Sequence, residues 1–404
     1  MIFEYILRYL IRPKSHSDES LEFFMLRIAR GNGYSDFSTF MESLKSSVTS
    51  SFAGRFESFL PQDMASANLH HAQISSRRRI DMLRQFAELT GCTLSELLDI
   101  CLARGAVTFS KKRVSLYRQG VNVPLEELRQ LDEIPICPLC IKETGYGRQL
   151  WHFHSYASCH QHGILLMQHC RCGASLKMFE QTFSDSCYQC GASLLEQVEH
   201  APESQLILSA WLAGEVTEHL PDVGLSHRWG LIHWFRLYIA PANCKAEYSI
   251  LSYFKAWPGI LFEKLKSDYA KATELAVLPA DEMTFQDVFG QLLSVSCRLP
   301  GSALSDNIVL RSIVRFLSEE VIDKGSPLGD LAINSIEAAV LLNTTTEQIA
   351  SLYDQGILQT KHQLKGSQIA TVISPIFRLS DVLCCWLTSY QSETSNRRYL
   401  VSRW

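Results

Sequence analysis

The chain has 404 residues, of which 46% are hydrophobic and 20% are charged, as in an ordinary globular protein of roughly two to four domains. Its 38 basic and 42 acidic residues leave a net charge of −4, which argues against nucleic-acid binding through a general surplus of positive charge. The first residues lack the pattern of a signal peptide, and no run of about 18 apolar residues is uninterrupted, so the sequence predicts neither secretion nor a membrane span.

Two helices are predicted near the N-terminus. Ser17 and Asp18 are expected to cap the first helix, whose apolar side chains recur at helical spacing until Gly31. The second helix is expected to begin after Ser35, because four apolar side chains follow at the same spacing. Residues 46–76 are rich in Ser, Ala, Gln and His and are predicted to form a loop.

A helix-turn-helix is predicted over residues 80–103. Thr93 and Glu96 have the spacing of a capping box, which would open the second helix after a short turn at Gly91. In a DNA reader this second helix contacts base edges, but here it carries no Arg, Asn or Gln before Arg104. The pattern therefore favours a hairpin used for packing or for protein contact.

Two groups of potential metal ligands lie between residues 137 and 190. The first combines Cys-x-x-Cys and Cys-x-x-His with eighteen residues between them, and the second combines Cys-x-Cys-Gly and Cys-x-x-Cys-Gly with fourteen residues between their nearest cysteines. Each motif places two ligands on one tight turn, and two turns complete the tetrahedron that zinc prefers. The sequence predicts two structural zinc ions per chain, bound by Cys137, Cys140, Cys159 and His162 and by Cys170, Cys172, Cys187 and Cys190.

Other chemistry at these motifs agrees less well with the sequence. A catalytic zinc ion keeps one position open to water, whereas both groups supply four ligands. The His-x-Glu partner of a deaminase and the strand–helix context of a redox Cys-x-x-Cys are missing. A protease dyad of Cys159 with His160 or His162 would compete with metal binding. One alternative stays open, because His162 could be replaced by another nearby histidine: His152, His154, His160 or His169.

No catalytic motif is found elsewhere in the sequence. The Gly-x4-Gly-Lys-Ser/Thr and Gly-x-Gly-x-x-Gly motifs do not occur, and the acidic residues form no set that suggests a two-metal nuclease. The cysteines outside the two groups lie in apolar helical runs, where cysteine acts as a small buried side chain. This use of cysteine indicates a reducing compartment, so the sequence predicts a cytoplasmic protein that is not an enzyme.

The chain is predicted to be helical again from Glu203. One aromatic stripe has the spacing of a core-facing helix rather than of a ligand cage, and it consists of Trp229, His233, Trp234 and Tyr238.

A second helix-turn-helix is predicted over residues 335–358, with Thr344 and Glu347 as the capping box of its second helix. Two strands are predicted to follow, at 357–358 and 370–373, as a wing whose tip carries Lys361, His362 and Lys365. A winged domain would place this tip on a phosphate backbone, and the alternative is a solvated turn. The second helix has no Lys or Arg, however, so DNA contact is not favoured here either.

These elements predict a mainly α-helical protein in which helix-turn-helix domains flank two zinc-knuckle or ribbon motifs. Four domains are expected: an N-terminal helical domain at 1–130, a double zinc-finger module at 131–198, a helical domain at 199–325 and a C-terminal helix-turn-helix domain, with the wing, at 326–404.

The order of these motifs resembles the TniQ family of transposon target-selection proteins. The resemblance rests on the N-terminal run RPKSHSDESLEFFMLRIARGNGYSD, on CPLC followed by Leu150-Trp151-His152 and Cys-x-x-His, and on the second knuckle pair. It continues through HRWGLIHWF to the final VSRW. In this extent the chain is similar to the TniQ of CRISPR-associated, Tn7-like transposons that use a Cascade complex.

The resemblance implies a non-catalytic adaptor in a bacterial cytoplasm. Such a TniQ forms a head-to-tail homodimer that docks on Cascade, against the crRNA-processing endoribonuclease and the adjacent backbone subunit. It then helps to recruit the ATPase TnsC for RNA-guided DNA integration, while its own contact with crRNA or DNA is indirect or weak.

The alternative is a sequence-specific DNA-binding target selector of the TnsD type, which acts without Cascade. Its support in the sequence is the pair of helix-turn-helix units together with two short basic runs, Arg77–Arg79 and Lys111–Arg113.

Overall fold

The structure is a computed structural model that describes residues 8–52, 77–109, 115–130, 133–176, 185–240, 249–276, 282–300, 307–361 and 370–391. The chain divides into two compact units, Met1–Glu218 and His219–Trp404. The described residues are mainly helical, as predicted, and no helix among them is long and apolar enough to cross a membrane. The finer division into four domains stays a prediction.

The described part of the first unit contains helices and short strands. The helices are α1 (Leu21–Gly31), α2 (Phe37–Phe52), α3 (Arg77–Thr90), α4 (Leu94–Asp99), α5 (Pro138–Thr144) and α6 (Glu203–Ala213). The strands are β1 (Ala103–Arg104), β2 (Leu116–Arg118), β3 (Val121–Val123), β4 (Ser158–Cys159) and β5 (Ile164–Leu165). Strands β1–β2–β3 form one antiparallel sheet, and β4 pairs with β5 in a separate antiparallel hairpin.

Helix α1 is a core helix, since eight of its eleven residues are buried. It begins after Ser20, whose hydroxyl accepts a hydrogen bond from the Phe23 backbone N–H at 3.3 Å. The prediction that Ser17 and Asp18 cap this helix is therefore wrong. The chain turns at those two residues, and the Asp18 carboxylate instead accepts hydrogen bonds from more distant side chains.

Three phenylalanine rings join the first three helices. The ring of Phe86 on α3 lies edge-on to Phe24 of α1 at 6.0 Å and to Phe40 of α2 at 6.5 Å. All three rings are fully buried. The predicted loop over residues 46–76 is wrong at its start, because α2 continues to Phe52 with no glycine or proline to end it before Gly54.

The first helix-turn-helix is present as predicted, with α3 packed against α4. The turn passes through Gly91, whose φ of +74° lies in the left-handed region that glycine adopts readily. Thr93 and Glu96 form the predicted capping box: the Thr93 hydroxyl accepts from the Glu96 N–H at 3.2 Å, and the Glu96 carboxylate accepts from the Thr93 N–H at 2.7 Å.

The described part of the second unit contains nine helices and one two-stranded sheet. The helices are α7 (Leu225–Trp234), α8 (Ile250–Lys255), α9 (Gly259–Leu275), α10 (Phe285–Phe289), α11 (Leu292–Ser296), α12 (Ile308–Leu317), α13 (Ser335–Leu341), α14 (Thr346–Asp354) and α15 (Leu379–Gln391). The strands are β6 (Ala332–Ile333) and β7 (Phe377–Arg378), which pair antiparallel. Helices α7 and α12 each continue into a π-helical turn, at Phe235–Ile239 and Ser318–Asp323.

The aromatic stripe of α7 belongs to the core of this unit. Trp229, His233 and Trp234 are buried, and the Trp234 indole donates a hydrogen bond to the Ser296 hydroxyl at 2.9 Å. Tyr238, the last member of the stripe, is partly exposed and stacks on Trp234. The stripe therefore fastens α7 to α11 and the neighbouring helices, as expected for core residues.

The second helix-turn-helix, α13–α14, differs from its prediction at the cap. Asn343 adopts a φ of +48°, so the turn between α13 and α14 ends one residue later than predicted. As a result Thr345 caps α14, with its hydroxyl accepting a hydrogen bond from the Gln348 N–H at 3.3 Å. The predicted capping box at Thr344 and Glu347 is wrong.

The predicted strands of the wing, 357–358 and 370–373, are wrong as well. The strand in this region is β7 instead, which pairs with β6 and also forms an isolated β-bridge to Thr360. It forms there because the buried side chains of Ile333 and Phe377 meet across the pair, whereas Val372 and Ile373 are exposed.

Some predicted features lie outside the described residues: residues 1–7, the basic run Lys111–Arg113, the wing-tip residues His362 and Lys365, and the final VSRW.

Candidate metal centres

Cys137 and Cys140 lie on the turn that begins helix α5. Cys137 caps the helix, and its sulfur accepts a hydrogen bond from the Cys140 backbone N–H at 3.4 Å. Pro138 occupies the first helical position, where its fixed φ is suitable and its missing N–H leaves no bond unmade. Gly145 ends the helix in the left-handed region, with a φ of +72°. The sequence CPLC therefore holds two sulfurs side by side on a rigid turn.

Cys159 and His162 lie on the hairpin between β4 and β5. The N–H groups of His162 and Gly163 both donate to the Cys159 carbonyl, at 3.3 and 2.8 Å. Gly163 has a φ of +69°, which closes the turn before Ile164 pairs back with Cys159. This tight turn brings the His162 ring onto the same side as the Cys159 sulfur.

The two turns meet, and their ligand atoms form one compact group. The His162 Nδ1 atom lies 3.5 Å from the sulfur of Cys137, 3.3 Å from that of Cys140 and 3.4 Å from that of Cys159. The sulfurs of Cys140 and Cys159 are 3.6 Å apart. Zinc–sulfur bonds of about 2.3 Å and zinc–nitrogen bonds of about 2.0 Å in a tetrahedron separate ligand atoms by about 3.5–3.8 Å. The group therefore has the size of a zinc site.

The three buried thiols of this group are close enough for their thiolates to repel one another. The adjacent Cys137 and Cys159 thiols raise the pKa of Cys140 far above its usual range, whereas hydrogen bonds from Cys137 and Cys140 lower the pKa of Cys159. A bound divalent cation offsets the repulsion between thiolates and deprotonates coordinating thiols. The donor set thus fits a soft divalent metal, and zinc above all.

The second group is built from two further cysteine turns and has similar dimensions. Its sulfur–sulfur distances are 3.7 Å between Cys170 and Cys190 and 3.9 Å between Cys172 and Cys187. The turns close at Gly173 and Gly191, whose φ values are +88° and +71°. Glycine adopts such values with little strain, whereas other residues do not. All four sulfurs lie within 4.8 Å of one another. With the first group, the chain therefore has two four-ligand sites suited to zinc.

Gln197 ties the two turns of the second site together. Its amide oxygen accepts a hydrogen bond from the Arg171 backbone N–H at 2.8 Å and lies 3.3 Å from the Cys170 sulfur. Its amide nitrogen donates to the Ser193 carbonyl at 2.8 Å. Gln197 is buried, so it orients the cysteine turns from outside the ligand set.

Glu143 plays the corresponding part at the first site. Its carboxylate accepts a hydrogen bond from His162 Nε2 at 2.9 Å, which leaves Nδ1 free to face the sulfurs. Metal-binding histidines commonly donate their second ring nitrogen to a carboxylate, which fixes the ring orientation and makes it a stronger ligand. The sequence offered a signal for this residue, since Glu143 follows Cys140 by one helical turn on α5.

Replacing Glu143 by glutamine is expected to weaken zinc binding at the first site by about 10- to 100-fold, while the fold is retained. The measurement is the rate and affinity of zinc transfer to a chromogenic chelator, which should become biphasic with one zinc ion per phase. Lys142→Gln, which changes an exposed neighbour on α5, is the matched control and should transfer zinc at the rate and affinity of the unmodified chain. Equal chelator resistance in Glu143→Gln and the unmodified chain would show that this hydrogen bond does not support the metal.

The other nearby histidines have different surroundings. His160 accepts or donates a hydrogen bond with the Tyr156 hydroxyl at 2.7 Å and lies 3.6 Å from the Glu215 carboxylate. His152 is buried 3.5 Å from the Glu22 carboxylate of α1. His154 and His169 are exposed on the rim of a separate cleft. Only His162 among the five lies in a four-ligand group of the described residues.

The first site is joined directly to the start of α1. The segment after α5 passes Asp18, whose carboxylate accepts hydrogen bonds from the Tyr146 hydroxyl at 2.7 Å and from Arg148. The Ser20 N–H donates to the Gly147 carbonyl at 3.0 Å. Gly147 has no room for a side chain, because a Cβ there would lie 2.2 Å from the Phe23 ring. This contact, which the sequence reasoning missed, locks the metal turn against the N-terminal helices.

The second helices of both helix-turn-helix units expose acidic and apolar side chains. On α4 the exposed residues include Glu96, Leu98 and Asp99. On α14 they include Glu347, Tyr353 and Asp354. Carboxylates on these faces would repel DNA phosphates, and neither described face offers a guanidinium to a base edge. Both helices are therefore better suited to protein contact than to a DNA groove.

Comparison with known proteins assigns part of the chain. No curated protein matches the chain when sequences are compared. A family model does match, over a stretch that includes α1–α5 and the whole first metal site and ends before the second site. Residues 10–166 match the model of the TniQ family, so this part of the chain is similar to TniQ proteins.

Proposed function

We propose that the chain is a non-catalytic target-selection adaptor of a Tn7-like transposon, which links an RNA-guided Cascade complex to the ATPase TnsC. The observation that carries this proposal is the TniQ match over residues 10–166. The finer assignment is supported by the extent of the resemblance, which continues beyond the matched region through the second knuckle pair and HRWGLIHWF to the final VSRW. The adaptor would work in the bacterial cytoplasm, where thiol ligands stay reduced.

In this proposal the ligands of the two zinc ions are Cys137, Cys140, Cys159 and His162 at one site and Cys170, Cys172, Cys187 and Cys190 at the other. Each zinc ion would have four protein ligands and no position for a water molecule or a substrate, which is the arrangement of structural sites. Both zinc ions would thus fix the fold of the module, and reaction chemistry would belong to the partners.

The surfaces of the helix-turn-helix units support a role in protein assembly. Leu98 is exposed on α4, and Tyr353 and Ile357 are exposed on and just after α14. Exposed apolar side chains among carboxylates are suited to a protein partner that supplies apolar and basic groups. We propose that these surfaces take part in the head-to-tail homodimer, which pairs the N-terminal helix-turn-helix of one copy with the C-terminal region of the other.

Co-purification tests this proposal. The tagged chain is expressed with the Cascade subunits, crRNA and TnsC of its own locus, and the captured complex is analysed by mass photometry. The expected result is a Cascade particle enlarged by two copies of the chain, in contact with the crRNA-processing endoribonuclease and the adjacent backbone subunit. A Cascade complex from an unrelated locus is the control. If the folded, zinc-loaded chain does not bind its own Cascade, the proposal fails.

A second candidate, a DNA-binding target selector of the TnsD type, is favoured by one observation. Arg8 and Arg84 line a cleft beside the α3–α4 turn. The Arg12 guanidinium lies next to Gly91 in this turn, since a Cβ atom added to Gly91 would be 3.3 Å from it. Three arginines near the turn could hold a phosphate backbone. A gel shift with attachment-site DNA separates the candidates, since tight, salt-sensitive and sequence-selective binding by the chain alone would support the DNA-binding selector.

A further inference from the structure

Helices α12 and α15 of the second unit and the start of α9 enclose a groove of about 490 Å³. One part of its lining is aromatic and apolar, with Trp257, Pro258 and Trp386 as its largest side chains. The other part is charged, with Arg311, Arg315 and Glu319. We call this feature the tryptophan groove.

The aromatic wall of the tryptophan groove is held in place from behind. Trp257 is half-buried, and its ring meets Trp234 edge-on at 6.0 Å and Phe254 at 5.5 Å. Trp234 is buried and hydrogen-bonded to Ser296, so its own position is fixed and it supports the Trp257 ring. The exposed face of Trp257 is thus a preformed apolar surface, which reduces the entropy lost when a ligand binds.

The charged wall lies along α12. Arg311 and Arg315 are exposed and one helical turn apart, and Arg315 forms an ion pair with Glu319 at 2.7 Å. Two guanidinium groups face one carboxylate in the lining, so the groove has an excess positive charge next to its indole rings. Tryptophan and arginine are the residue types that contribute most binding energy at protein interfaces.

We propose that the tryptophan groove binds a peptide segment of a partner protein that presents a large apolar side chain beside an acidic one. The indole rings and Pro258 would bury the apolar side chain, and Arg311 would hold the carboxylate. A single strand of nucleic acid is a poorer fit, because it carries a phosphate at every nucleotide, whereas the lining has two arginines and one of them is paired with Glu319. This proposal rests on the second unit alone and goes beyond the proposed function.

Fluorine NMR of the full chain labelled with 5-fluorotryptophan tests the proposal. The chain has seven tryptophans, and Trp257→Phe and Trp386→Phe assign the two signals of the groove. The probe is an acetylated and amidated Gly-Glu-Leu-Phe-Asp-Gly peptide. Comparison ligands are the same peptide with lysines for its acidic residues, the same peptide with glycines for Leu and Phe, and a ten-nucleotide thymidine strand.

The acidic apolar peptide is expected to shift the signals of Trp257 and Trp386 and to leave the other five unchanged. Both altered peptides should bind at least about tenfold more weakly, and Arg311→Gln should weaken the acidic peptide about tenfold, as for one lost charge-assisted hydrogen bond. Lys271→Gln, an exposed charge change on α9 outside the groove, should have no effect.

Three results would overturn the proposal. One is that no peptide shifts either groove signal at about 1 mM, a concentration that detects even millimolar affinity. Another is that the thymidine strand alone shifts them, which assigns the groove to nucleic acid. The third is that Arg311→Gln binds the acidic peptide as tightly as the unmodified chain. Arg311 is exposed on α12, so Arg311→Gln is expected to fold normally. This variant therefore tests the proposal even if a tryptophan variant folds poorly.

Discussion

Replacing Cys140 by serine is expected to remove one of the two zinc ions per chain and to unfold the first metal module. Structural zinc contributes about 10–16 kcal/mol of binding free energy, which is as large as the whole stability of a typical domain. The Cys140 sulfur lies next to the ligand atoms of both Cys159 and His162, so its loss leaves the metal with three ligands and an open coordination position. The measurements are metal content by mass spectrometry and the protease sensitivity of residues 137–165.

The control for this change is Cys384→Ser, an exposed cysteine on α15 of the second unit. It should keep two zinc ions per chain and the protease pattern of the unmodified protein. Cys187→Ala should give the complementary result, with the second zinc ion lost and the first retained. A Cys140→Ser chain that keeps both zinc ions and its protease resistance would contradict the structural role of the first site.

Replacing Trp151 by alanine is expected to destabilise the first unit by about 3–5 kcal/mol, the usual cost of a cavity left by a large aromatic side chain. Trp151 is fully buried and meets the Phe23 ring of α1 edge-on at 5.7 Å. It therefore joins the region between the two metal turns to the core helix. The midpoint of thermal unfolding should fall by roughly 10 °C, since about 1 kcal/mol shifts it by 2–4 °C in a unit of this size.

Zinc content separates this packing effect from loss of metal. Trp151→Ala should still bind two zinc ions at low temperature, because Trp151 is not one of the eight metal ligands. Tyr117→Ala, a 43% exposed aromatic residue of β2, is the control and should cost about 1 kcal/mol or less. Equal losses of stability in the two variants would show that Trp151 is not part of the core that connects the metal turns to α1.

Short motifs with a fixed spacing were the most reliable guide to this structure. CPLC and the Cys-x-x-His were predicted to form one site because each motif is a local turn, and the structure brings their ligand atoms together. The capping box at Thr93 and Glu96 is correct for the same reason, because it lies within four consecutive residues. The similar pattern at Thr344 and Glu347 failed, because the left-handed backbone at Asn343 moved the cap by one residue.

Contacts between distant parts of the chain could not be derived from spacing. Asp18 was predicted to cap α1, yet it binds Arg148, 130 residues later, because tertiary packing brings the metal turn to the helix. The pairing of Ile333 with Phe377 likewise depends on which buried side chains meet in three dimensions. The tryptophan groove also combines residues from separate helices, so no single segment indicated it.

In the proposed function both metal sites are closed zinc sites that stabilise a scaffold. X-ray absorption at the zinc edge of the purified chain tests it most directly, because the spectrum reports the atoms bound to zinc. The expected result is two zinc ions per chain that together have seven sulfur ligands and one imidazole nitrogen ligand, with no oxygen ligand. A zinc-bound water or carboxylate oxygen, or fewer than seven sulfurs, would contradict it and would reopen a catalytic interpretation of the first site.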